Sequence, residues 1–342
     1  MKNVLYIGNK LSRQEHKNLT AIDVLGPALE KEGYKVLYAS SKVNKLARLF
    51  DMLWHVAFKT KHVQVVLIDT YSTQNFYFAL IVSQLCRIVR LPYIPILHGG
   101  NLVNRLKKSP KLSHLLFHNA DVLVAPSLFM QQIFKDYGYD NITYIPNSIS
   151  ITKYPYLIKS FETLKLLWVR SFSHIYNPSL AIHVLKTLQD KGYSAELCMV
   201  GPDTGDGSYD QAKALASKLG VSVTFTGKLS KSMWIDLAAN YNVFINTTNF
   251  DNMPVSVIEA MALGLPVVST NVGGMPFLID HDKNGLLVPP NNIDAFVNAI
   301  IQLKTKPEKS QQIAHNARQK VMHFDWQAVC NSWHKILQKD NL

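Results

Sequence analysis

Short runs of apolar and β-branched residues alternate along the chain with longer segments in which apolar positions recur every three or four residues. This alternation is typical of α/β domains, in which parallel strands are joined by helices. A helix is predicted over Thr20–Lys31, with Gly33 ending it. In the first half the pattern predicts strands at Val4–Ile7, Lys35–Ala39, Val63–Ile68, Tyr93–Leu97, Val122–Ala125 and Ile142–Ile145.

The same pattern begins again in the second half, so two successive doubly wound sheets are expected, with the joint near Tyr154–Ser160. We therefore expect domains at residues 1–158 and 159–325. A last helix is predicted at Trp326–Lys339, within residues 326–342, and packing of this helix back on the first domain is compatible with its apolar face. The second-half strands and helices are predicted at Leu164–Val169, Pro178–Lys191, Glu196–Val200, Val221–Thr226, Val243–Asn246, Val255–Leu263 and Val267–Ser269.

The composition is that of a globular protein, with 342 residues, 47% apolar and 18% charged. Three widely spaced cysteines match no metal-ligand spacing and indicate free thiols in a reducing compartment. The first apolar run is too short for a signal peptide, and no stretch reaches the length that crosses a bilayer. A cytoplasmic location is expected, and secreted, collagenous, coiled-coil and transmembrane classes are excluded.

The net charge of +12 is unevenly distributed, because residues 1–158 carry +10 and the remainder +2. Such asymmetry favours contact of the first half with an anionic surface, although a soluble basic domain would show it too. No helix-turn-helix, zinc-finger or RNA-binding signature is present, so nucleic acid is not an expected partner. Acidic lipid at the inner face of the cell membrane is the expected anionic surface, and a soluble acidic glycan is the alternative.

The segment Lys42–Lys61 has an amphipathic pattern with basic flanks. A basic amphipathic helix containing Trp and Phe fits docking to an anionic membrane. A helix that turns one apolar stripe to the core gives the same pattern, and the core-facing interpretation is favoured. The apolar positions are Leu46, Leu49, Phe50, Leu53, Trp54, Ala57 and Phe58, and the basic ones are Lys42, Lys45, Arg48, Lys59 and Lys61.

Two carboxylates, Asp251 and Glu259, stand eight residues apart around a predicted loop-to-helix transition. Asn252 and Pro254 mark the turn, and Ser256 or a neighbour is expected to cap the helix. A helix N-terminus attracts phosphate, and carboxylates accept hydrogen bonds from sugar hydroxyls. The pair therefore suits a sugar nucleotide, while the alternative is an ordinary loop residue and a favourable first-turn charge.

The stretch 250–274, followed by the GLLVPP run at 285–290, resembles the signature of glycosyltransferase family 4 (glycosyl transferases group 1). Members are retaining, nucleotide-sugar-dependent enzymes of the GT-B fold, with two doubly wound Rossmann-like domains facing a central cleft. The resemblance covers nearly all of residues 90–342. Further matching segments are Val124–Ser127, Tyr144–Ile149, Trp168–Phe172, Met199–Asp203 and Phe225–Ser230.

The resemblance implies a role for each matching residue. Arg170 would meet the donor diphosphate, Glu259 the ribose and Asp251 the donor sugar. His98, followed by Gly99 and Gly100, would lie near the reacting sugar, although a strand-end His satisfied by backbone is the alternative. The implied donor-binding residues are Gly8, Arg170, Gly201, Gly227, Lys228, Asn252, Met253, Pro254, Val255, Ser256 and Glu259. A UDP- or GDP-sugar is the implied donor, and no metal site is expected because no convincing Asp-x-Asp or His ligand spacing occurs.

Three positions depart from the family pattern. Asp251 stands where Glu is usual, so its carboxylate is drawn back by one methylene. No Lys follows Arg170 at the usual distance. The first strand is followed by Ile7–Ser12, in which Gly8 is the only glycine, so the contact of the donor phosphates with the first domain is left open.

The implied activity is that of a retaining hexosyltransferase that uses a glycan or lipid-linked hydroxyl acceptor in cell-surface glycan, polysaccharide or glycolipid synthesis. The first domain would bind the acceptor and the second the donor, with peripheral attachment to the membrane. A nucleotide-sugar 2-epimerase and a non-catalytic GT-B partner subunit remain as alternatives. A hydride-transferring enzyme is a weaker one, since no Gly-x-Gly-x-x-Gly follows the first strand.

Overall fold

A computed structural model describes residues 3–11, 20–59, 61–99 and 101–338. Ser12, Gly100 and the end of the last predicted helix lie outside these residues. The chain forms two compact units, Met1–Ser148 with Trp326–Leu342 and Ile149–Asp325. The division precedes the predicted joint, because Ile149 bridges to Asp325 and the Ile151 amide donates to the Asp325 carboxylate at 2.8 Å.

The first unit contains a six-stranded, wholly parallel sheet. Its strand order is β2-β1-β3-β4-β5-β6, so the chain reverses direction across the sheet between β1 and β3. In chain order its elements are β1 Asn3–Ile7, α1 Ala21–Lys31, β2 Lys35–Ala39, α2 Lys45–Phe58, β3 Val65–Thr70, α3 Asn75–Ile88, β4 Tyr93–Leu97, α4 Leu102–Lys108, α5 Pro110–Phe117, β5 Leu123–Ala125, α6 Leu128–Asp136 and β6 Ile142–Tyr144.

The second unit repeats this architecture with the strand order β12-β11-β10-β7-β8-β9, again parallel throughout. Here the chain reverses between β7 and β10. The elements are β7 Leu164–Val169, α7 Pro178–Asp190, β8 Ala195–Val200, α8 Ser208–Leu219, β9 Val223–Gly227, α9 Lys231–Ala238, β10 Val243–Asn246, α10 Val255–Ala262, β11 Val267–Thr270, α11 Met275–Leu278, β12 Leu286–Val288, α12 Ile293–Thr305 and α13 Pro307–Met322. The expected pair of doubly wound sheets is confirmed.

Side chains of a strand point alternately to opposite faces, and the first unit buries both faces of its sheet. Leu5 and Ile7 of β1 pack in one core, together with residues of α2, α3, α5 and α6. Val4 and Tyr6 pack in the other core, against α1. These two layers hold the carboxyl ends of the strands in fixed positions.

The chain returns to the first unit through α14, Trp326–Leu337. Trp333 and Ile336 are buried in the core that contains Val4 and Tyr6. Tyr34 Oη lies 2.8 Å from His334 Nδ1 at the edge of this contact. Among the described residues, no helix is both long enough and apolar enough to cross a bilayer.

Candidate functional site

The strand reversal in the second unit places the residues after β7 beside those after β10, which is where open α/β sheets bind ligands. Arg170 follows β7, and its Nη2 forms an ion pair with Oδ2 of Asp251, from the loop after β10. The guanidinium carbon lies 3.9 Å from the centre of the Tyr176 ring. Burial lowers the pKa of Arg170. Arg170 and Asp251, which were predicted to contact the donor diphosphate and the donor sugar, therefore form one nearly buried ion pair.

Helix α10 starts next to this pair without a side-chain cap. Pro254 occupies the N-cap position, and the expected capping role of Ser256 is wrong: this residue lies in the first turn, and its buried Oγ has no partner among the described residues. The carboxylate of Asp251 instead accepts from the Asn252 amide at 2.8 Å. A helix start without a side-chain cap offers backbone N–H groups and a positive dipole end to an anion.

Glycines allow the surrounding loops to approach the pair closely. A Cβ at Gly201 would collide with the carbonyl oxygen of Arg170, and one at Gly274 would collide with that of Asn252. Gly273 has a φ of +54° and lies against the carbonyl of Asp251. The Gly-Gly run in the family-like signature thus packs directly on the loop that carries Asp251 and Asn252.

Glu259 lies one turn further along α10 and is only 3% exposed. Its Oε1 accepts a hydrogen bond from Tyr154 Oη at 2.7 Å and forms an ion pair with Lys231 Nζ. Burial, followed by the nearby Glu259 charge, raises the pKa of Tyr154. Both bonds end on Oε1 of Glu259, and neither involves Oε2.

Sequence reasoning missed Tyr154 and Lys231. Lys231 directly follows the family-like segment Phe225–Ser230 and begins α9. Its position next to this segment could have marked it as a candidate site residue. Tyr154 had no such signal, because it belongs to the segment that enters the second unit.

The other predicted donor residues fall on the same strand-end loops. Gly227 ends β9 and its carbonyl accepts from the Gly201 amide at 2.9 Å. Lys228, which follows it, is exposed. Met253 and Pro254 are buried beneath the start of α10, whereas Val255 is exposed.

A second group of polar residues lies in the first unit, at the reversal between β1 and β3. His98 follows β4, and its Nε2 lies 2.8 Å from Oδ1 of Asp69, in β3. Tyr6 Oη donates to the same oxygen at 3.0 Å, and the Tyr71 ring stacks on His98 with centroids 5.1 Å apart. Asp69 Oδ2 is buried and has no hydrogen-bond partner among the described residues.

Gly8 makes room for this carboxylate. A Cβ at Gly8 would lie 2.6 Å from Asp69 Oδ2, so a larger residue would displace the group. Gly8, Asp69, Tyr71 and Asn75 also line a small pocket. The predicted residues Gly8 and His98 are thus joined through Asp69, which sequence reasoning missed although it is the one acidic residue in the buried strand β3.

Within the described residues, one cluster of His, Cys and acidic side chains is compact enough to share an ion: Glu32, Cys330 and His334. It lies where α14 meets the end of α1, and His334 Nε2 is already 3.3 Å from Glu32 Oε2. None of the predicted site residues belongs to it.

Helix α2 corrects one expectation. The favoured prediction, that the apolar stripe of α2 faces the core, is wrong for four large residues. These residues are spaced four apart and are exposed: Leu46 (68%), Phe50 (71%), Trp54 (47%) and Phe58 (72%). The buried positions are instead Arg48, Met52 and Val56. The segment is apolar on two sides, and the side with Met52 and Val56 meets the sheet.

The second unit matches a known family. Residues 159–320, somewhat less than half of the chain, match the sequence model described as "Glycosyl transferases group 1". The "Sulfoquinovosyl transferase SQD2" of Arabidopsis thaliana is 31% identical over 44% of this chain and 29% of its own length. The "D-inositol 3-phosphate glycosyltransferase" of Corynebacterium jeikeium is 24% identical over 52% and 44%. The chain therefore spans less than half the length of these relatives.

The whole fold is similar to that of Anabaena Alr3699/HepE, solved "in complex with UDP and glucose". The TM-score is 0.79 at 17% identity, covering 99% of this chain and 100% of the other. The two Rossmann-like units thus have the GT-B fold.

Proposed function

We propose that this protein is a retaining glycosyltransferase that moves a hexosyl group from a nucleoside diphosphate sugar to a hydroxyl acceptor. The observation that carries the proposal is the grouping of Arg170, Asp251 and Glu259 around the start of α10, which has no side-chain cap. This grouping lies inside the region that matches the glycosyltransferase family. It combines an anion site with two carboxylates that can accept sugar hydroxyls.

The donor is held from both ends in this proposal. The start of α10 and Arg170 bind the diphosphate, and the oxygen Oε2 of Glu259 accepts from the ribose. Tyr154 and Lys231 hold the other oxygen of Glu259 and thereby fix the direction of the carboxylate. Asp251 turns from Arg170 toward the donor sugar, so donor binding replaces an internal ion pair by two ligand contacts.

The chemistry is a substitution at the anomeric carbon. The bond from this carbon to the diphosphate oxygen breaks with its electron pair on the phosphate, and the acceptor oxygen forms the new bond on the same face. The acceptor proton passes to a donor phosphate oxygen. Arg170 and the helix dipole stabilise the charge that develops on the departing diphosphate, which is the main electrostatic contribution available here.

The first unit is proposed to bind the acceptor, with His98 directed at the reacting sugar and Asp69 as its positioning residue. Relatives named for sugar transfer and the UDP in the Anabaena structure support a UDP-sugar as the first donor to test. The acceptor is a glycan or lipid-linked hydroxyl in cell-surface polysaccharide or glycolipid synthesis. The basic first unit attaches the enzyme peripherally to the inner face of the membrane.

A panel of UDP- and GDP-sugars tests the donor site by thermal shift, because a ligand that binds only the folded state raises Tm. The hits are then incubated with and without hydroxyl acceptors, and nucleotide release and product anomers are followed by NMR. Acceptor-dependent release with retained configuration, lost in Glu259→Ala, is expected. Conversion of the donor sugar without acceptor would identify an epimerase, and no turnover with any bound donor would indicate a non-catalytic subunit.

A further inference from the structure

The four exposed large residues of α2, Leu46, Phe50, Trp54 and Phe58, form a continuous line that we call the exposed ridge. Residues four apart lie on one side of a helix, so the ridge runs the length of α2, one residue per turn. Single exposed apolar residues are common on protein surfaces, but a contiguous line of this size marks a site of interaction.

The packing of α2 against the first sheet orients the exposed ridge toward solvent. Met52 and Val56, on the opposite side, are buried against the sheet core that contains Leu5 and Ile7. At the helix start, the Arg48 guanidinium is buried and donates to the carbonyls of Lys42 and Val43 at 2.8 and 3.0 Å. Rotating the ridge inward would therefore expose Met52 and Val56 and break the contacts of a buried charge.

Basic residues stand at both ends of the ridge. Lys42 and Lys45 precede or begin α2, Lys59 and Lys61 follow it, and all four are exposed. Lys59 Nζ lies 4.9 Å from the centre of the Trp54 ring. The single acidic residue of the helix, Asp51, is half-buried and lies 3.7 Å from His55. The ridge thus combines an apolar line, a Trp and cationic ends.

We propose that the exposed ridge inserts into the interface of an anionic lipid bilayer, with α2 lying parallel to the membrane plane. Apolar side chains enter the acyl boundary, Trp prefers the interface, and lysines reach the anionic headgroups. The charge pattern favours lipid over a second copy of this chain, because an isologous dimer through the ridge would bring lysines of both copies together.

The neighbouring helix extends this surface. In α3, Ile81 and Ile88 are exposed, and Arg87 is exposed next to Ile88. Helices α2 and α3 cover the same face of the first sheet, since both bury residues in its one core. The proposed membrane surface therefore lies on this side of the first unit.

The pocket lined by Gly8 and Asp69 borders this layer, because Met52 of α2 and Phe78 of α3 also line it. The idea that the exposed ridge brings the enzyme to a lipid-linked acceptor rests on the proposed function. Its test uses no donor or acceptor, so failure of docking and failure of sugar transfer remain distinguishable.

Vesicle co-sedimentation measures the docking, with phosphatidylcholine vesicles containing or lacking anionic phosphatidylglycerol. We expect binding to anionic vesicles and about tenfold or more weaker binding to neutral ones, with release as salt rises. Trp54 is the most exposed tryptophan, so brominated lipid should quench its fluorescence, and a Trp54→Phe variant should bind while losing that quenching.

The decisive variant is Leu46→Ser/Phe50→Ser/Phe58→Ser, which keeps every charge and the Trp54 reporter. It should weaken anionic-vesicle binding about tenfold or more and abolish quenching, with unchanged Tm. Its matched control, Val24→Ser/Met233→Ser/Met322→Ser, removes three exposed apolar residues elsewhere and should bind like wild type. Lys45→Glu/Lys59→Glu should lose binding mainly at low salt.

Three results would overturn the proposal. Wild-type protein that ignores anionic vesicles at low salt excludes docking. Serine-variant binding equal to wild type places the membrane contact elsewhere. Dimerisation that the serine variant abolishes, without vesicle binding, assigns the ridge to a second copy.

Discussion

The carboxylate of Asp69 holds the imidazole of His98, with Oδ1 2.8 Å from Nε2 and the side chain of Asp69 almost wholly buried. The other oxygen, Oδ2, is buried without a partner among the described residues, an arrangement that costs stability. By accepting from Nε2–H, the Asp69 carboxylate fixes the orientation of the His98 ring through a bond that does not involve Nδ1. The geometry is that of a positioning residue rather than of a stabilising one.

Asp69→Asn should therefore lower kcat by about tenfold or more, because the imidazole loses the charge that orients it, while Tm stays equal or rises. Kinetics with saturating donor and thermal melts measure the two effects. Tyr6→Phe, which removes one hydrogen bond and keeps the charge, is the control with a smaller effect. A wild-type kcat in Asp69→Asn would show that the carboxylate has no part in turnover.

Arg170→Ala should reduce kcat by about a hundredfold or more, because the departing diphosphate loses its buried cation. Arg170→Lys keeps the positive charge but lacks the planar guanidinium. Its kcat should therefore lie between those of wild type and Arg170→Ala. Stopped-time assays at saturating donor give kcat, and circular dichroism confirms folding. A kcat within about threefold of wild type, under about 1 kcal/mol of barrier, contradicts the role.

Glu259 and Asp251 should differ in the ligand that each variant loses. Glu259→Gln is expected to weaken free UDP or GDP together with the donor, because the ribose is common to both. Asp251→Asn should weaken the sugar nucleotide and spare the bare nucleotide. Calorimetric titration of both ligands separates the two roles, and equal losses in Asp251→Asn refute the sugar contact.

Lys159 should make stability depend on alkaline pH. Its Nζ donates to the carbonyls of Ala238 and Ala239 at 3.1 Å each, and burial lowers its pKa from 10.5 to about 8. Between about pH 8 and 10.5 the unfolded chain then binds more protons, so raising the pH stabilises the folded state. Denaturant melts of wild type and Lys159→Met should show wild type gaining relative to the variant across this range. A difference that is constant with pH would contradict the lowered pKa.

Trp333→Ala should destabilise the protein by about 3–5 kcal/mol, because it empties a large site between α14 and the first sheet. Cys330→Ala, at a half-buried position of the same helix, is the matched control and should cost under about 1 kcal/mol. Denaturant unfolding followed by far-UV circular dichroism measures both. Equal, small losses would mean that α14 contributes little to the first unit.

The residues proposed to bind the donor were accessible from sequence because they lie near recognisable strand ends and one helix start. Arg170, Asp251 and Glu259 follow local patterns, so their identity could be predicted. Their partners could not: Asp251 pairs with Arg170, 81 residues away, and Glu259 with Tyr154, 105 residues away. The order of strands in the sheet decides such meetings, and no local period encodes it.

The sequence by itself determined the succession of strands and helices, since hydrophobic period, glycines and turn residues act within a few residues. The loop-to-helix transition around α10, with Asp251 and Glu259, was also predictable from the sequence. Only the tertiary structure decided that Asp69 meets His98, because this depends on β3 and β4 pairing side by side in a register that sets Thr70 beside Leu97. In the same way, α2 is apolar on two sides, and the sheet can bury only one. Met52 and Val56 pack in the same core as Leu5 and Ile7, so the exposed ridge on the opposite side faces solvent. Close packing of the core determines which side of α2 is buried.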